Sequence, residues 1–214
     1  MSRGAVRLLI LTLVCLGVSL AGLATATARP REERGRANLG ATDAVKVQRG
    51  EFGNALATAA RQQSSYFVFY NPAYQKIPYP MGDVPSYYGV CTDVVVRAYR
   101  SLGIDLQVQV QKAGVGTGDT NIDHRRVEVL RRFFARAGTS LPVTKNPDDY
   151  QAGDIVTYHL PNGWFSKTHI AIVSAEKNTA GIPLIVHNRG WGVHSEDWLF
   201  AEKITGHYRY SGPR

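Results

Sequence analysis

Cysteine is the scarcest reactive residue in this 214-residue chain, with only Cys15 and Cys91 present. Two cysteines so placed exclude a disulfide-stapled scaffold, and no close Cys or His pairs offer the spacing of a zinc site. Acidic residues are also in short supply, 17 against 25 Lys and Arg. No internal repeat is visible, which excludes solenoid and propeller architectures. The Gly-rich run Gly114-Val115-Gly116-Thr117-Gly118 lacks the Lys-Ser/Thr ending of a phosphate loop and reads as a flexible connection. No nucleic-acid-binding module is recognisable. What is present, 44% hydrophobic and 20% charged residues, suits one globular domain with a real core.

The only long apolar run lies at the start. Residues 1–7 are short and basic, Leu8 to Leu23 is almost wholly apolar, and Ala24-Thr25-Ala26-Thr27-Ala28 offers small-residue cleavage sites. This three-part layout predicts a secretory signal peptide over residues 1–28, an uncleaved anchor being the only expected route to a membrane. Export places the protein in the periplasm or outside the cell. Its removal takes Cys15, Arg3 and Arg7, leaving 23 basic and 17 acidic residues and one thiol. A lone thiol in an oxidising compartment is a liability unless it is buried or used. The net positive charge favours anionic surroundings such as wall polymers.

Residues 29–47 are polar and read as a linker, with a single domain from 48 to 214. Helical spacing of Phe52, Ala55, Leu56, Ala59 and Ala60 predicts a first helix over about 48–63. Tyr66 to Tyr70 is an aromatic, strand-like run, and Asn71 to Tyr88, with four prolines, is an ordered loop. A second helix opens at Cys91 with Val94, Val95, Ala98 and Leu102 on its apolar face. Asp93, Arg97, Arg100 and Ser101 take the polar face, and Gly103 the C-cap. A third is expected from Asp123 as N-cap to Gly138. Strand-like runs follow at 154–160, 169–175, 183–188 and 203–210. Helices first and strands afterwards indicate an α+β domain on a mostly antiparallel sheet.

Cys91 is the leading candidate for chemistry. A helix N-terminus presents unpaired N–H groups and partial positive charge, which stabilise a thiolate and are expected to lower its pKa. Nucleophilic cysteine catalysis also needs a base and a group that orients the base. Of the six histidines, His169 starts one strand and His187 ends the next. A hairpin with Val173 opposite Pro183 would set His169 directly opposite His187, on one face. Asn188 is the reserve for the orienting role, since a one-residue slip would exchange the two. Tyr87 and Tyr88 are candidates for an oxyanion donor. Asp93, His124, Arg125 and Trp191 are candidates for lining or binding substrate, Arg125 because guanidinium holds carboxylates bidentately. Cys91, His169 and His187 lack an obvious fourth ligand, so no metal is expected, nor any cofactor.

Seven motifs occur in order: Gly82-Asp83-Val84-Pro85, Gly89-Val90-Cys91-Thr92-Asp93, Asn121-Ile122-Asp123-His124-Arg125-Arg126, Gly153-Asp154-Ile155-Val156, His169-Ile170-Ala171-Ile172-Val173, His187-Asn188-Arg189-Gly190 and Gly206-His207-Tyr208-Arg209. From about residue 50 onward this set resembles a bacterial exported family, domain of unknown function 1287. That family in turn resembles the NlpC-type papain-like cell-wall peptidases. The resemblance implies a papain-like fold, with Cys91 as nucleophile, His169 as base and His187 as orienter. Two departures stand out: Ala171 replaces a usual Gly, and Val108 to Asp119 is short and lacks an expected acidic motif.

The reading is an exported cysteine amidase or peptidase acting on peptidoglycan peptides. The alternatives are a papain-like thioesterase or acyltransferase for lipid or thioester substrates, and a non-catalytic basic wall-binding module.

Overall fold

A computed structural model describes residues 41–213, with side chains from 48 onward. The expected signal peptide and most of the expected linker lie outside the described residues. Helix α1 runs Ala41–Gln62, so it begins inside the stretch read as linker. Of the expected stripe, Leu56 and Ala60 are buried and Phe52 and Ala59 partly so, whereas Ala55 is exposed and Ala57 is buried in its place. Strand β1 (Phe69–Tyr70) takes only the end of the aromatic run and pairs in parallel with β2 (Tyr88–Gly89). The proline-rich loop between them thus closes on itself beside Cys91.

Helix α2 spans Cys91–Ser101 and α3 Leu106–Ala113. The third expected helix is α4, Val127–Ala137. Asp123 does not cap it: residues Asp123–Arg125 form a separate 3-10 turn. The Asp123 carboxylate instead accepts from Thr117 N and Oγ1 and from Gly118 N, at 2.8–2.9 Å. A Cβ on Gly116 would sit 2.3 Å from that carboxylate, which is why glycine is needed there. The Gly-rich run is therefore an ordered wrap around Asp123. Helix α3 was hidden because its strongest signal is the Asp105 side chain accepting from Gln107 N and Val108 N, a cap without a clear apolar stripe.

Six antiparallel strands form the main sheet in the order β3-β8-β4-β5-β6-β7. They are β3 Thr139–Ser140, β4 Ile155–His159, β5 Thr168–Lys177, β6 Pro183–Asn188, β7 Val193–Glu196 and β8 Lys203–Arg209. The α+β expectation is met by four α-helices among the described residues and this sheet. Strand β7 was not expected: Val193-His194-Ser195-Glu196 is too polar and too short to stand out.

Period-two alternation along β5 builds two cores. Ile170 and Ile172 enter the larger one with Cys91, Val94, Val95, Leu130 and Phe134 on the helical side. Ala171 and Val173 enter the smaller one with Tyr150, Val156, Tyr158, Ile185 and Leu199. Each fully buried Leu, Ile or Phe contributes roughly 1.5–3 kcal/mol, so the helical side carries most of the stability. Close approach is built in at Gly153 (φ 82°), where a Cβ would meet the Cα of Gly53 on α1 at 2.4 Å.

Candidate active site

Cys91 begins α2 and is 3% exposed. Strand β2 delivers it, and Asn188 steadies that approach: its Nδ2 donates to Gly89 O at 3.5 Å while its Oδ1 accepts from Gly190 N at 2.9 Å. The N–H groups of Ile170 and Thr92 and the Tyr70 hydroxyl all act on Sγ in the direction that favours a thiolate. Burial overrides them, with Asp93 adding repulsion, and pushes the thiol up to about 12. The helix-start expectation of a lowered pKa is therefore reversed in this closed state. The cost of desolvating sulfur exceeds the help of a few N–H dipoles.

His169 and His187 are brought together as expected, Nε2 to Nδ1 at 2.9 Å. The register differs by two residues: Ile172 pairs with Val186 and Val173 with Ile185. A two-residue shift preserves parity, so both imidazoles remain on one face. His187 Nε2 then meets Glu196 Oε2 at 2.8 Å, and the same oxygen accepts from Arg189 Nη2 at 2.9 Å. Trp198 packs against both imidazoles, at ring separations of 5.9 and 5.3 Å, under the Arg189 guanidinium. Burial holds His169 well below the ordinary histidine value, and His187 below it too despite the Glu196 carboxylate. Both are neutral at pH 7.

Thiol and imidazole are not joined. The backbone N–H of Ile170 meets Sγ, while the ring of the preceding residue, His169, turns to the other face of β5 with Tyr158 and Trp198, and no Cys91–His169 hydrogen bond occurs among the described residues. His169 shares strand parity with Ala171 and packs on Tyr158 at a ring separation of 6.2 Å. Two cavities meet here. One of about 470 Å³ is lined by Cys91, Arg125, Arg126 and Glu128. The other, of about 580 Å³, is lined by His169, Trp164, Trp191 and Trp198. Tyr70, Phe165, Ser166 and Thr168 border both, and the Tyr70 and Phe165 rings stack at 4.6 Å to form the partition. A larger cavity of about 670 Å³, near Arg49 and Arg209, holds neither thiol nor histidine.

The other expected residues fall out differently. Asp93 and Arg125 form a buried bidentate ion pair, and Asp93 also accepts from Val90 N at 2.7 Å. Asp93 thus lies inside rather than on the polar face of its helix, and Arg125 is committed to it rather than to a substrate carboxylate. His124 is buried, and burial lowers it to about 4. Tyr87 and Tyr88 pack against each other with tilted rings 4.5 Å apart, whereas the hydroxyl beside the sulfur belongs to Tyr70. Trp191 is 81% exposed on the rim of the aromatic cavity. Tyr70 and Glu196 went unnoticed in the sequence. The strand pairing of β1 with β2, and the existence of β7, were needed to place them. No group of three or more His, Cys, Asp or Glu side chains is arranged to hold a metal among the described residues, and no described helix is long and apolar enough to cross a membrane.

The spaced motifs turn out to be halves of polar contacts. Asp83 is held by Arg97 at 2.9 Å and Arg100 at 2.6 Å, which ties the proline-rich loop to α2. Asp154, fully buried, accepts from His207 at 2.8 Å and from Arg209 at 2.6 and 2.8 Å. No solved structure matches the chain. The uncharacterized protein YijF of Escherichia coli (strain K12) is 47% identical over 168 residues, 73% of this chain and 80% of that protein. The model of a domain of unknown function, DUF1287, matches residues 57–210, and the chain belongs to that family.

Proposed function

We propose that this protein is an exported papain-like cysteine hydrolase that cleaves amide bonds in peptidoglycan peptides, with Cys91 as nucleophile, His169 as base and His187 as its orienter. One observation carries the reading. Tyr70 and Phe165 border both the cavity that holds Cys91 and the cavity that holds His169, whose imidazole is anchored at its far side by His187. His169 takes the thiol proton as Sγ attacks the carbonyl carbon. Backbone N–H groups at the start of α2 stabilise the oxyanion. His169 returns the proton to the leaving amine, a thioester remains, and water attacks it with His169 again as base. Acid and free thiol are regenerated.

Because thiol and imidazole are both neutral and not yet in contact, the resting arrangement is closed. For Sγ and His169 to share one space, substrate must displace the Tyr70–Phe165 partition and the His169 ring must turn toward the strand end. A stem-peptide analogue bearing an electrophilic ketone tests the reading. Stoichiometric mass addition at Cys91, lost in His169→Ala, is expected; labelling indifferent to His169 contradicts it.

The elevated thiol pKa favours a second reading, a basic wall-binding module in which Cys91 only packs. Peptidoglycan pull-down unchanged in Cys91→Ala, with no labelling of the wild type, supports that alternative.

A further inference from the structure

We propose that Glu196 is the positioning residue of this site: by accepting from His187 Nε2–H it sets the tautomers of both imidazoles and leaves Nδ1 of His169 as the basic nitrogen. The inference rests on the hydrolase reading for its consequence but not for its geometry.

Glu196 is a third exposed, and its Oε2 receives Arg189 Nη2 at 2.9 Å and Nε at 3.2 Å. Paired this way and with His187, the carboxyl is held down at about 2 and is ionised at neutral pH. An ionised carboxylate can only accept, so His187 Nε2, 2.8 Å away, must be the donor. A neutral imidazole carries one proton, so His187 Nδ1 is bare. The 2.9 Å contact between His187 Nδ1 and His169 Nε2 can then form only if His169 donates. His169 is neutral as well, and its Nδ1 is left with the lone pair.

Strand register makes this possible. Pairing Val186 with Ser195 and His187 with His194 puts Glu196 two residues along β7, diagonal to His187. The diagonal is within reach of a long side chain. Trp198 covers the rings from the side, so the chain of donors runs through a water-poor space where hydrogen bonds are stronger.

Nitrogen-15 spectra of histidine-labelled protein at neutral pH test the assignment directly. Wild type should show protonated Nε2 and bare Nδ1 in both His169 and His187. Glu196→Ala removes the acceptor, and Glu196→Gln keeps the volume but can serve either tautomer; in both, the preference should weaken toward a mixture while the thermal melt stays cooperative. Protonated Nδ1 on His187 in the wild type, or identical tautomers in wild type and both variants, overturns the assignment. The hydrolase reading separates cleanly. If it holds, Glu196→Gln lowers kcat by about 10- to 100-fold at nearly constant KM. Wild-type tautomers as stated without any Cys91-dependent cleavage sink the hydrolase and leave Glu196 in place.

Discussion

Asp93 and Arg125 meet in a buried, two-pronged ion pair, Nε to Oδ1 at 2.8 Å and Nη2 to Oδ2 at 2.9 Å, with 4% and 2% of their side chains exposed. It joins the first turn of α2 to the 3-10 turn before α4, and so fixes the floor beneath Cys91. Removing one partner leaves the other charge buried alone, so Asp93→Ala should cost about 3–5 kcal/mol. The double variant Asp93→Leu/Arg125→Met should recover a substantial part of that loss. Urea unfolding of the three proteins decides; a single-variant loss below about 1 kcal/mol would mean that the pair is solvent-screened.

The buried thiol makes a prediction at high pH. Its folded value, about 12, lies above the ordinary value of 9.0, so the unfolded chain ionises first. The stability this provides is complete below pH 9 and lost as pH rises through 12. Cys91→Ala should therefore show a shallower decline over that window. Alkylation of native protein at pH 7 should be slower than that of urea-unfolded protein. An equal or faster native rate contradicts the closed thiol.

At the acid end the buried histidines act together. His124 falls to about 4, and His169 and His187 are also lowered, all chiefly by desolvation. Depressed values give stability that is present above pH 6.5 and lost as pH falls, since the unfolded chain takes up protons first. Unfolding free energy should drop between pH 6.5 and 4, and His124→Leu should flatten that slope by up to one proton. A wild-type curve flat across this range would contradict it.

Gly153 offers a backbone test. With φ at 82° and the Cα of Gly53 2.4 Å from where a Cβ would stand, Gly153→Ala should lose roughly 1–3 kcal/mol or more. Gly181, at φ 80° but with open space around it, isolates the dihedral cost alone. Equal losses at the two sites in thermal melts would remove the packing argument.

What the sequence made legible was parity and periodicity. His169 and His187 were matched to one face because side chains alternate every second residue, a rule that survived a two-residue error in register. The stripe of Val94, Val95 and Ala98 revealed α2 for the same kind of reason. Tertiary partners were not legible. Asp93 looked like a solvated helix residue because nothing local signals Arg125, 32 positions away. Tyr70 reaches Cys91 only through the pairing of β1 with β2, two residues long and far too short to leave a pattern. The thiol pKa failed as a forecast because helix-start dipoles are local, whereas desolvation depends on everything packed above the sulfur.

Cleavage itself tests the central claim most directly. Purified peptidoglycan fragments incubated with wild type, Cys91→Ala and His169→Ala would be compared by mass spectrometry. The account predicts that wild type alone splits a stem-peptide or cross-link amide, the products together heavier than the substrate by one water. Products that persist in Cys91→Ala would contradict it.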